Sequence, residues 1–247
     1  MNPNLSKSSG ISSKQLLFIL LFIETLATVV AIATAMKEGE SLFHYFDEGR
    51  FMTYFSCLQL LIVSAFAWKI FRLEKKSSSA DLVKNAVFWL MVCLGTFYLA
   101  LDDALSIHEE IDKSMHRLLN VEETLVTDLA DDIIVGIYLI IALIYIFSQW
   151  QNLQVFRSSF AYFKVGFILG AMMVLADILS NNTLFVSMVT DDSQLANQII
   201  TNLGIFEETA KTVAEGFFLV GVYQCWQKVR SVNSQQLIPI PKSNQIE

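Results

Sequence analysis

Six apolar runs alternate with polar stretches along this chain, at about 15–35, 52–71, 86–107, 131–147, 160–179 and 204–226. Each is long enough, or nearly so, to cross roughly 30 Å of hydrocarbon as an α-helix rising about 1.5 Å per residue. The fourth is the shortest, and 148–150 extend it. The pattern predicts an all-α, polytopic membrane protein with six transmembrane helices, forming one domain over 15–230. Residues 1–14, rich in Ser, Asn and Lys, read as a disordered cytoplasmic tail, and 231–247, with Pro239 and Pro241, as a flexible one.

Composition supports the same class. The 247 residues are 54% hydrophobic and only 17% charged, too apolar for an ordinary soluble domain. With the N-terminus inside, twelve Lys and Arg fall on the inner side. Only Lys37, Arg50, Lys113 and Arg117 fall outside, and Lys211 lies within the sixth run. This bias predicts an inner (plasma) membrane protein with both termini in the cytoplasm. The net charge of −7 then collects on the outer face, which argues against nucleic acid as a partner. Membrane lipids are the expected neighbours, with homo-oligomerisation open. Ala33-Thr34-Ala35 resembles a signal-peptide cleavage site, but the long apolar run, broken by Glu24, reads as an uncleaved first helix. Cys57, Cys93 and Cys225 sit in different runs without zinc spacing and read as small core residues.

The chemistry gathers where the third run ends. From Leu101-Asp102-Asp103 to His116 the chain turns acidic with no Gly or Pro to stop a helix. On a continuous helix Asp102, Glu109 and His116, seven apart, nearly share a face, and His108, Asp112 and His116 flank it at i, i+4, i+8. Carboxylates and imidazoles stacked in this way suit a divalent cation such as Zn, Mn, Fe or Mg. The ordinary alternative is a solvated helix in which Glu109 pairs with Lys113. Topology brings further acids to the same side: Asp131 and Asp132 opening the fourth run, Asp177 late in the fifth, and Glu207 and Glu208 opening the sixth. Glu24 and Glu215 lie deeper. Acids in such positions must pair, bind a cation, face water or hold protons. Candidate ligands are Asp102, His108, Glu109, His116, Asp177 and Glu208, with Glu109 and Glu208 also candidate catalytic bases. His44, in the aromatic turn Leu42-Phe43-His44-Tyr45-Phe46, is the only other histidine, which rules out a histidine-rich zinc site. That turn reads as interfacial. Gly166 and Gly170 form a GxxxG that reads as a packing feature.

Leu101-Asp102-Asp103, His108-Glu109 and Glu207-Glu208, with Asp47-Glu48 leading to Phe55-Ser56, resemble the pattern of an uncharacterised group of bacterial multi-pass inner-membrane proteins. The resemblance implies a membrane location and a shared polar centre, and no reaction. Where that pattern has a further acid one turn after the Glu pair, this chain has Lys211.

Three functions follow as expectations. The first is a metal-dependent hydrolase acting at the outer leaflet. The alternatives are a proton- or cation-coupled transporter or channel, and a non-catalytic membrane component whose charges join helices. No Gly-x-Ser-x-Gly and no phosphate-binding glycine loop is present. All three prolines lie outside the runs, and the acidic end of the third run has no counterpart in Val220-Gly221-Val222-Tyr223, so no inverted repeat is apparent.

Overall fold

The computed structural model describes residues 10–47, 49–77, 85–107, 110–111, 114, 117, 130–181, 186, 188–190 and 192–236. Among them the regular structure is helical: α1 (Ser13–Glu38), α2 (Phe51–Lys75), α3 (Ala86–Leu105), α4 (Ala130–Ser148), α5 (Phe160–Asn181) and α6 (Ser193–Gln236). A single turn, Trp150–Leu153, and a 3-10 segment, Gln154–Ser159, join α4 to α5.

Local chemistry sets the ends. A capping box opens α1, with Gln15 N–H donating to Ser12 Oγ (3.3 Å) and Ser12 N–H to Gln15 Oε1 (3.0 Å). Gly39 closes it at φ 73°, a left-handed conformation open to a residue without a β-carbon. The chain just before α1 is tied down, because Ile11 C=O accepts from Tyr223 Oη (2.8 Å) and Gln227 Nε2 (3.0 Å). Asp192 Oδ1 accepts from Gln194 N–H (2.8 Å) and starts α6 well before the expected position. Part of the stretch between the fifth and sixth runs is therefore helical, and α6 continues past Trp226 to Gln236.

The end of α3 departs from expectation most clearly. Ser106 adopts φ 47°, its N–H returns to Asp102 C=O, and the helix stops at Leu105. The helix carrying Asp102 thus ends before Glu109 and His116, which lie outside the described residues. A non-Gly residue in the left-handed region costs about 1–2 kcal/mol, so this break is held by its surroundings.

Packing centres on α6, which lies against α5, α2 and α1, while α2 also packs against α3. α1 is inside out by the standard of a soluble protein. Its buried side chains are Ser13, Glu24, Ala27, Ala31 and Ala35, whereas Phe18, Phe22, Leu26, Val29 and Met36 are exposed. Four helical stretches are long and apolar enough to cross a membrane among the described residues: α1, α2, α3 and Trp150–Ser180, which includes α5. The apolar helix Gly136–Ser148, within α4, is shorter.

Two apolar clusters bracket the polar centre. At the basic end of α2, Val63, Ala67 and Ile70 pack with Phe88 and Trp89 of α3 and with Leu219, Val222, Cys225 and Val229 of α6. At the other end Ala27, Ala31, Phe46 and Met52 form a smaller cluster. All three cysteines are free thiols. In the GxxxG of α5 only Gly166 meets α6: a β-carbon there would stand 3.1 Å from the Phe218 ring and 3.2 Å from Ala214 O, whereas one on Gly170 would meet nothing within 4 Å.

Candidate functional site

Between the two clusters lies a cavity of about 730 Å³ bounded by α2, α3, α4, α5, α6 and the 41–47 turn. Seven acidic residues line it among the described residues, Asp47, Asp102, Asp103, Asp177, Glu207, Glu208 and Glu215, against one cation, Lys211. Phe46, Leu60, Val63, Phe167, Met173 and Phe218 supply apolar wall. The aromatic turn closes over this space instead of facing only outward. Phe46 is buried, Phe46 N–H donates to Phe43 C=O (2.8 Å), and the Phe43 ring seats against Gly204, where a β-carbon would stand 2.6 Å away. His44 packs edge-on to Tyr45 at 5.0 Å and is not a lining residue of the cavity.

Ser56 is the hub of the polar network. Its Oγ lies 2.8 Å from Asp103 Oδ2 of α3 and 2.7 Å from Glu215 Oε1 of α6. Lys211 Nζ donates to Asp103 Oδ1 at 2.6 Å and lies 3.5 Å from Glu208 Oε1, one turn away on its own helix. All of these groups are largely withdrawn from solvent: Ser56 is fully buried, Glu215 is 7% exposed and Glu208 8%. A serine hydroxyl carries one hydrogen to donate. That of Ser56 is either shared between the two carboxyls or joined by a second one on a carboxyl, donated to Ser56 Oγ. Glu215 Oε2 is buried without a hydrogen-bond partner among the described residues. Cys57 adds a thiol that donates to Ala100 C=O at 3.4 Å.

The sequence-derived candidates divide into two groups. Asp102, Asp177 and Glu208 converge on this one cavity, although they belong to α3, α5 and α6. His108, Glu109 and His116, with Asp112, lie outside the described residues. Among the described residues no group of three or more His, Cys, Asp or Glu is arranged to hold a metal ion. The residues that sequence reasoning left in secondary roles, Ser56, Asp103 and Lys211, carry the tightest contacts. A serine in an apolar run is ordinary, and only the register between α2, α3 and α6 makes it a bridge. The one sequence signal for Ser56 was its place in the Phe55-Ser56 element of the resemblance.

No curated protein and no solved structure matches the chain. The profile of one family, described as Domain of unknown function (DUF8692), matches residues 16–225, from the start of α1 to deep in α6 and across the whole cavity. That match covers most of the sequence, and the chain belongs to the DUF8692 family.

Proposed function

We propose that this protein is a six-span, proton-coupled transporter of the inner membrane, with a cavity for a cation bearing apolar groups. The observation that carries the reading is the Ser56 bridge: two carboxyl groups converge on one hydroxyl, and a proton on one of them would give each short contact its own hydrogen. The proton is assigned to Glu215, since Asp103 is the carboxyl that Lys211 contacts at 2.6 Å. A cluster that holds an exchangeable proton at the wall of an acid-lined, partly aromatic cavity is suited to trading that proton for a bound cation.

Four apolar stretches are supplemented by α4 and α6 in the six-span reading. The 19 residues of α4 extend about 28 Å. The 44 residues of α6 are about twice the length a span needs, and its charges at 208, 211 and 215 turn into the protein, so its average polarity understates the apolar surface it presents elsewhere. The Lys/Arg bias supports cytoplasmic termini.

The experiment is proton release on cation binding. Detergent-purified protein in weak buffer with a pH indicator is titrated with tetraphenylphosphonium. Wild type is expected to release close to one proton per cation bound, and Ser56→Ala to release much less. Binding without proton release in wild type would refute the coupling.

A second reading, the metal-dependent hydrolase at the outer leaflet, draws on the convergence of Asp102, Asp177 and Glu208 on the cavity. It predicts stoichiometric metal in the purified protein, lost in both His108→Ala and Glu208→Ala. Its absence after loading with Zn, Mn, Fe, Mg or Ca would dismiss it.

A further inference from the structure

Glu24 stands apart from the cavity and is not one of its lining residues. It sits on the stripe by which α1 docks, in register with Ala27, Ala31 and Ala35, and is 2% exposed. Gln59 Nε2 of α2 donates to Glu24 Oε1 at 3.1 Å. Glu24 Oε2 is buried with no hydrogen-bond partner among the described residues. The carboxyl rests against the backbone of Gly216 on α6, where a β-carbon would overlap Oε1, so the absence of a side chain at 216 makes the notch that receives it.

The two groups shown against this carboxyl, the Gln59 amide and the Gly216 backbone, are neutral. From α2 it meets the Gln59 amide. From α6 it meets Gly216, whose neighbour Glu215 has Oε1 at hydrogen-bond distance from Ser56. Lys211, the cation of that helix that lines the cavity, bonds to Asp103 and Glu208, and Lys228 and Arg230 lie about three and four turns beyond Gly216. On α1 itself Thr28 Oγ1, one turn on, is buried and without a hydrogen-bond partner among the described residues. An ionised carboxylate here would keep one oxygen bare and one amide donor, with no counter-ion. The neutral acid accepts the Gln59 hydrogen bond at its carbonyl oxygen and avoids burying a charge.

We propose that the Glu24–Gln59–Gly216 notch is a second proton-binding site, one that carries a proton when α1 is docked and lies one helical turn along α2 from the Ser56 bridge. Ser56 and Gln59 are three residues apart on α2, about 4.5 Å along the axis. The two sites therefore occupy adjacent levels of one seam, while their bonding is separate: no hydrogen bond or ion pair joins Glu24 to Asp103 or Lys211 among the described residues. The inference stands whether or not the cavity transports a cation.

Infrared spectroscopy of the purified full chain tests it. The spectrum of wild type minus Glu24→Gln at neutral pH is expected to contain one carboxylic-acid C=O band. Raising the pH should remove that band from wild type, and Ser56→Ala should retain it. Gln59→Leu keeps the acid but deletes the donor to its carbonyl, so the band should move to higher wavenumber. This variant carries the test should Glu24→Gln fold poorly. A featureless difference spectrum, a band that persists at every pH the protein withstands, or a band indifferent to Gln59→Leu would each overturn the proposal.

Discussion

Lys211 shows what a single residue does in this centre. It sits where the resemblance to related membrane proteins implies another acid, and its ammonium bonds to Asp103 across the α3–α6 interface. The side chains of both partners are less than a fifth exposed. Removing one member of such a pair leaves an uncompensated charge at a cost of about 3–5 kcal/mol, far above that of an exposed pair such as Arg117–Glu110 at 3.7 Å. Lys211→Met should therefore lower the thermal unfolding midpoint in detergent sharply, and adding Asp103→Asn to it should restore part of the loss. A double variant no more stable than Lys211→Met would show that the Asp103 contact is not what Lys211 contributes. The acids of this centre were legible in the sequence because charges inside apolar runs are conspicuous. Their pairing was not, since Asp103 and Lys211 are 108 residues apart and nothing local fixes the register between their helices.

At the scale of the element, helix positions were read well and helix ends less so. Runs of apolar residues located α1 to α6, because burial in an apolar medium imposes its length directly on the sequence. The stop at Ser106 was missed: no Gly or Pro marks it, and a serine enters the left-handed region only because the tertiary structure holds it there. That one residue ends the helix carrying Asp102, while His108, Asp112 and His116 lie outside the described residues. The start of α6 was misplaced for a different reason, in that a polar stretch capped by Asp192 has helix-forming residues but no apolar run. Helix contacts also split the GxxxG. Gly170→Ala, with open space at its β-carbon, should be neutral or gain up to about 1 kcal/mol from helix propensity. Gly166→Ala must displace Phe218 or the α6 backbone and should lose about 1 kcal/mol or more. Thermal unfolding of the two variants side by side checks this, and equal effects would mean that α5 and α6 do not meet at Gly166.

At the scale of the whole molecule, six helices form an apolar plug at one end and an acid-lined chamber towards the other, with α6 as the common wall. The carboxylates belong to separate helices, so their convergence is a property of the assembled bundle. Composition could show that many acids lie on one side and could not show that a serine links two of them. The central claim, that this chamber couples a proton to a cation, is tested most directly in proteoliposomes. A pH gradient is imposed across the membrane, tetraphenylphosphonium is placed on both sides at equal concentration, and its distribution is followed with time. Wild type should move the cation against the direction of proton flow, Ser56→Ala should not, and no accumulation should occur when the gradient is collapsed. A wild-type protein that leaves the cation evenly distributed under a sustained gradient would contradict it.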